Sequence, residues 1–102
     1  MVTRLARVAA TCGALADPTR LGVLQRLAQG PATAGQLARL FAVSRPAVSR
    51  HVRVLREAGL VFASPHGRLI WYAAEADPLR ELEMWLGDTA KRIDDAPRLL
   101  ED

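Results

Sequence analysis

Apolar residues recur at helical spacing along most of this chain, interrupted once by two strand-like runs. Over residues 3–16, Leu5, Val8, Cys12 and Leu15 fall at i, i+3, i+7 and i+10, one stripe of an amphipathic helix. Asp17-Pro18 supplies a cap followed by proline at the first helical position and opens a second helix, with Leu21, Leu24, Leu27 and Ala28 inward. Gly30-Pro31 closes it. Thr33 and Gln36 have capping-box spacing, ahead of a short third helix whose apolar face is Leu37, Leu40 and Phe41.

The most strongly marked segment is 44–60, SRPAVSRHVRVLREAGL. Ser44 is an N-cap, Pro46 falls in the first turn, and Val43 and Val48 stand at hydrophobic-staple positions. Val48, Val52 and Leu55 form the buried stripe, and Gly59 supplies a left-handed stop. The other side carries Arg45, Ser49, Arg50, Arg53 and Arg56, with Glu57 as the lone acid. Only Ala42 and Val43 separate Phe41 from Ser44, so two short helices joined by a tight turn predict a helix-turn-helix. A basic face by itself fits an ordinary solvated helix equally well; the residues beyond Gly59 decide between the two.

Two β-favouring runs, 60–63 and 69–73, are split by Ser64-Pro65-His66-Gly67-Arg68 and predict a hairpin with basic residues at its tip. Both faces of the runs are apolar, so the buried side is not readable. A hairpin directly after a recognition helix is a wing. Asp77-Pro78 repeats the cap-plus-proline signal and opens a last helix, with Leu79, Leu82, Leu86 and Ile93 near a heptad seam and Pro97 ending it. The fold class is therefore mainly α with a β-hairpin wing. Residues 1–96 form one winged helix-turn-helix domain and 97–102 a frayed tail.

The first and last helices carry more apolar surface than three helices and a hairpin can cover. Such surplus implies a partner surface, and the simplest partner is a second copy related by twofold symmetry. The expected seam is Leu5, Val8, Cys12, Leu79, Leu82, Leu86 and Ile93; the competing arrangement folds both helices back onto the core.

Composition narrows the function. The chain has 102 residues, a formal charge of +3 and a pI near 10.0, and all but one of its fourteen basic residues are arginine. Arginine favours planar, bidentate partners such as phosphate and guanine, so nucleic acid is permitted without being required. One cysteine excludes an intrachain disulfide framework. No apolar run approaches the roughly 20 residues that span a bilayer, and a cytoplasmic protein without a membrane partner is expected. There is no nucleophile–base pair, no glycine-rich phosphate loop and only two histidines, so neither an enzyme nor a cofactor is expected.

Three stretches together, LADPTR at 15–20, SRPAVSRHVRVLREAGLV at 44–61 and the strand from Gly67-Arg68 to Tyr72, resemble the ArsR/SmtB family of bacterial repressors. The resemblance covers roughly residues 12–93. It implies a winged-helix homodimer, joined by its first and last helices, that binds double-stranded DNA at a palindromic operator and blocks transcription. Carried over by position, Ser44, Arg45, Pro46, Ala47, Ser49 and Arg50 form the reading face, with His51 and Arg53 at its edge. Gln36 meets phosphate at a helix N-terminus, and Arg68 reaches the flanking minor groove. Arg45 and Ser49, nearest the helix start, are expected to read bases, and Arg50 to hold phosphate.

Two departures from the family pattern stand out. Many relatives have glycine where this chain has Ala42; a left-handed alanine costs roughly 1–2 kcal/mol. Metal-sensing relatives use a Cys-x-Cys pair where this chain has Ala34, Gly35 and Gln36. Others use Asp/His and His/Glu pairs in the last helices, where this chain has Asp88, Asp94 and Asp95 but no histidine after His66. Transition-metal sites need imidazole or thiolate in fixed number, so no metal site is expected and the inducer is unknown. The alternative is a thiol-redox or metalloid-responsive repressor using Cys12 of both copies. A winged helix docking protein rather than DNA is a further possibility, against which the four arginines of the recognition segment argue.

Overall fold

A computed structural model of the chain describes residues 2–99. Five helices and three strands run in the order α1 (Arg4–Leu15), α2 (Pro18–Leu27), β1 (Ala32–Thr33), α3 (Ala34–Phe41), α4 (Arg45–Glu57), β2 (Val61–His66), β3 (Leu69–Ala74) and α5 (Asp77–Asp95). The expectations for Met1 and for tail residues 100–102 lie outside the described residues.

Most predicted boundaries have the predicted chemistry. Asp17 accepts the Arg20 backbone N–H at 3.0 Å and caps α2. Thr33 and Gln36 form the reciprocal capping box of α3. Ser44 Oγ accepts the Ala47 N–H at 3.2 Å and starts α4. At its far end Gly59 takes φ +76°, and the Leu60 N–H returns to the Leu55 carbonyl at 2.9 Å.

The second Asp-Pro behaves differently from the first. The Glu75 N–H is tied to the Leu60 carbonyl at 2.8 Å, so the chain turns at Ala76, which already has helical angles. Asp77 is therefore inside α5 and caps nothing; its carboxylate accepts from Arg80 instead, at 3.0 Å.

The hairpin is longer and its turn tighter than predicted. Pro65 and His66 belong to β2, leaving a two-residue loop of Gly67 and Arg68, with Gly67 at φ +63°. A positive-φ glycine at the first loop position is what a short hairpin turn needs. Proline is tolerated in β2 because the sheet order is β1-β3-β2 and β2 lies at the edge. The strand β1, which pairs Ala32 with Tyr72 and Thr33 with Trp71, was not predicted; two residues after a proline, the second of them the cap of α3, carry no periodicity.

The core gathers Ala14, Val23, Leu24, Leu27, Leu37, Val48, Val52, Leu55 and Leu60, closed by Val61 and Tyr72 from the inner face of the wing. Phe62 and Leu69 lie outside. Three predicted stripes are shifted. In α2, Val23 is buried while Leu21 and Ala28 are exposed; in α3, Leu40 is exposed. In α1 the inward residues are Val8, Thr11 and Ala14, with Leu5 and Cys12 exposed. Small side chains and a threonine that bonds its own Arg7 carbonyl at 3.1 Å let α1 lie close to its neighbours. The larger residues are left on the outer side.

Candidate nucleic-acid interface

Helix α4 is held from beneath and bare above. Val48, Val52 and Leu55 anchor it in the core. Ser44, Arg45, Pro46, Ser49, Arg50, Arg53 and Arg56 are exposed, and Ala47 is half-buried. Among the described residues no carboxylate lies within ion-pair distance of Arg45, Arg50, Arg53 or Arg56, nor of Arg68 at the hairpin turn. Arg4, Arg7 and Arg80 by contrast pair with Asp88, Glu81 and Asp77, so this face concentrates uncompensated positive charge. Gln36 is exposed, but its carboxamide oxygen already accepts the Thr33 N–H at 3.0 Å.

His51 does not join the face. It is half-buried and turned back toward α2, its Nδ1 3.9 Å from the Asp17 carboxylate. His51 stands three residues after Val48 and four before Leu55, on the flank of the buried stripe. Asp17 sits below the usual carboxylate range chiefly because it accepts the Arg20 backbone N–H; partial burial opposes this, and His51 adds a smaller lowering.

The LADPTR stretch is thus structural. Asp17 caps α2, while the Arg20 side chain donates to the carbonyls of Ala14 at 2.6 Å and Gly13 at 3.2 Å, closing the end of α1. Sequence reading also missed the clasp between α1 and α5. Arg7 makes a two-pronged bond to Glu81, Nε–Oε1 2.9 Å and Nη2–Oε2 2.9 Å. It raises the Arg7 pKa and lowers that of Glu81. An opposite-charge pair 74 residues apart has no local signature.

Of the expected seam residues, Val8 is 4% exposed and Leu79 packs against the core, so these two serve their own chain. Leu82 is half-buried. Leu5 (64%), Leu86 (52%) and Ile93 (65%) are open to solvent, and so is Cys12. Among the described residues no cluster of three or more His, Cys, Asp and Glu side chains could hold a metal ion. No helix there is long and apolar enough to cross a membrane.

A capped, core-anchored helix with free arginines, followed by an edge-strand wing with an arginine at its turn, defines a winged helix-turn-helix DNA-binding protein. The helix-turn-helix domain family matches residues 15–61. The transcriptional repressor SdpR of Bacillus subtilis is 33% identical over 73 residues, covering 72% of this chain and 81% of its own. A crystal structure of an ArsR family transcriptional regulator superposes with a TM-score of 0.84 at 32% identity, covering 95% of this chain and all of that one. The chain belongs to the ArsR family of transcriptional regulators. An HTH-type regulator of Mycobacterium tuberculosis is 56% identical over 54 residues, but that match spans only 50% of its length. A further neighbour, from Mycobacterium bovis, was solved as a homodimeric winged helix-turn-helix DNA-binding domain; it has a TM-score of 0.70 at 25% identity over 92% of this chain. These relatives are regulators of transcription, not enzymes.

Proposed function

We propose that two copies of this chain join through α1 and α5 and set their α4 helices in successive major grooves of a palindromic operator, repressing transcription without a metal effector. The observation that carries this reading is the set of unpaired cations on α4 and at the wing turn, on a chain whose α1 and α5 still present bare apolar residues. Ser44, Arg45, Ser49, Arg50 and Arg53 meet the DNA, with Pro46 and Ala47 at the close approach of the helix start. Gln36 and Arg68 flank them on backbone and minor groove. Leu5, Leu82, Leu86 and Ile93 form the seam.

Selecting bound duplexes from a random pool tests this. Half-sites about 10 bp apart, centre to centre, are expected of a twofold dimer. On the selected operator, Arg50→Ala is expected to weaken binding to operator and scrambled duplex alike, flattening the salt dependence by about one unit per lost contact. Binding by Arg50→Ala and Arg53→Ala at wild-type strength on both duplexes would show that this face does not meet DNA. Zinc, cobalt, nickel or arsenite at a few equivalents is expected to leave operator affinity within about threefold, ~0.7 kcal/mol. A tenfold loss with any of them refutes the metal-free reading.

One observation favours a second reading: the Cys12 thiol is exposed on the same side of α1 as Leu5, seven residues away. A thiol-responsive repressor would pair the two Cys12 side chains across the seam. Non-reducing electrophoresis after peroxide separates the readings, since only the thiol sensor gives a covalent dimer.

A further inference from the structure

Glycine at position 35 needs an explanation. It stands second in α3, where alanine is the better helix former. Its backbone makes no demand for glycine: among the described residues the positive-φ glycines are Gly30, Gly59 and Gly67. What a side chain at 35 would meet is Arg45. A Cβ built on Gly35 lies 2.9 Å from Arg45 Nη2, 3.4 Å from Cζ and 3.7 Å from Nε, and these are its three nearest atoms. The guanidinium of the first α4 residue therefore rests directly on the first turn of α3. No carboxylate among the described residues holds it there. Its place is set by the space that the missing side chain leaves.

That place bears on what Arg45 can touch. In a helix-turn-helix the second helix enters the groove, while the first crosses the sugar-phosphate backbone. A guanidinium lying on α3 is drawn off the base-reading side of α4 and toward the backbone. We infer that Gly35 is the positioning residue for Arg45, and that Arg45 clamps a phosphate instead of reading a base. The inference rests on the DNA-binding reading and reverses the role that position along α4 alone gives Arg45. A methyl group at 35 displaces only the end of a flexible side chain, so the fold can accept it while the clamp cannot.

The test compares the full chain with Gly35→Ala, Arg45→Ala, Arg45→Lys and Gly35→Ala/Arg45→Ala. Each is titrated with salt on the selected operator, on single-position operator variants and on a scrambled duplex. Arg45→Ala is expected to lose about tenfold or more on every duplex and to flatten the salt slope by about two units per dimer, one contact from each copy. Arg45→Lys, keeping the charge without the planar fork, is expected to recover part of the Arg45→Ala loss, equally on every duplex. Gly35→Ala is expected to lose about three- to tenfold with a flatter slope, to lose nothing further once Arg45 is alanine, and to melt no lower than wild type. Four results overturn the inference: an Arg45→Ala loss confined to one operator position, failure of Arg45→Lys to bind, a Gly35→Ala loss that persists in the Arg45→Ala background, or wild-type binding by Gly35→Ala. The underlying reading fails differently. In that case Arg50→Ala and Arg53→Ala, which do not touch Gly35, also bind both duplexes like the wild type.

Discussion

Helices α4 and α5 stand on either side of the wing and are both amphipathic, yet they use their apolar faces in opposite ways. The thirteen residues of α4 bury Val48, Val52 and Leu55 in their own chain. The nineteen residues of α5 bury none, although Leu86 and Ile93 would fill a core as well as any α4 residue. Their charges are reversed in the same sense. The arginines on α4 make no ion pair among the described residues, whereas α5 pairs Arg80 with Asp77 at 3.0 Å and Lys91 with Asp95 at 3.4 Å, and clasps α1 through Glu81 and Arg7 at 2.9 Å. A helix owes most of its stability to the packing of its apolar face. In a single chain α4 therefore has its stability and lacks a counter-charge, and α5 has its counter-charges and, beyond Leu79 on the core, leaves much of its apolar face unburied. On the proposed function, one helix is completed by a polyanion and the other by the apolar face of a second copy.

Breaking the α5 side is expected to have the largest effect. Leu82→Glu with Leu86→Glu places four carboxylates in a twofold seam and is expected to give monomers in sedimentation at micromolar concentration. The core under α4 does not include either residue, so the monomer remains folded. Operator affinity is expected to fall about a hundredfold or more, because the second half-site no longer benefits from linkage to the first. A wild-type chain that sediments as a monomer at that concentration would remove the basis of the comparison.

This division was legible where the cue is local. Asp17, Thr33, Ser44 and Gly59 are read from their neighbours within five residues, and each makes the bond its position predicts. The family resemblance reached the fold for the same reason. What escaped depends on tertiary contact. Asp77 has the same proline after it as Asp17, but the Glu75–Leu60 bond moves the helix start ahead of it. The inward face of α1 is its small residues, which no hydrophobicity pattern selects over Leu5 and Cys12. The place of Arg45 depends on an absent side chain ten residues earlier, and the Arg7–Glu81 clasp on the whole fold.

A smaller effect sharpens the α4 side. Ala42, in the turn before α4, has φ 53° and ψ 43°, and the Val43 N–H closes the end of α3 on the Ala38 carbonyl at 3.1 Å. It is the one non-glycine residue with positive φ among those described. The Cβ penalty there is roughly 1–2 kcal/mol, offset in part by the greater freedom glycine has when unfolded. Ala42→Gly is expected to stabilise the protein by about 1 kcal/mol, raising the melting temperature by roughly 4–8 °C for a domain of this size, measured at fixed protein concentration. Operator affinity is expected to be unchanged, since the turn geometry is already the one glycine prefers. A lower melting temperature would mean that the strain at Ala42 is not what limits this turn.

The smallest expected effect concerns acid, and it asks which side loosens first. Glu81 titrates below its ordinary range because Arg7 bonds its charged form; Asp17 does so because the Arg20 N–H does. A carboxyl whose pKa is lower in the folded chain contributes stability that is complete above its unfolded value, about 4 for either residue. That stability is lost as pH falls through the lower, folded value. Arg7, raised further above an already high value, stays charged across this range and adds no slope of its own. The contribution of these groups to the melting temperature is therefore expected to be flat from pH 8 to about 5 and to fall below about 4.5. Two substitutions divide that fall between the regions. Glu81→Gln removes the titrating partner of the α1–α5 clasp, and Asp17→Asn keeps a good N-cap while removing the charge that faces His51. If the unfinished α5 side is the weaker one, Glu81→Gln lowers stability at neutral pH and shrinks the acid drop, whereas Asp17→Asn, which keeps the clasp, retains the part of the drop that Glu81 contributes. An acid drop of the same size in Glu81→Gln as in the wild type would mean that the clasp, exposed as it is, holds α5 no better than solvent does.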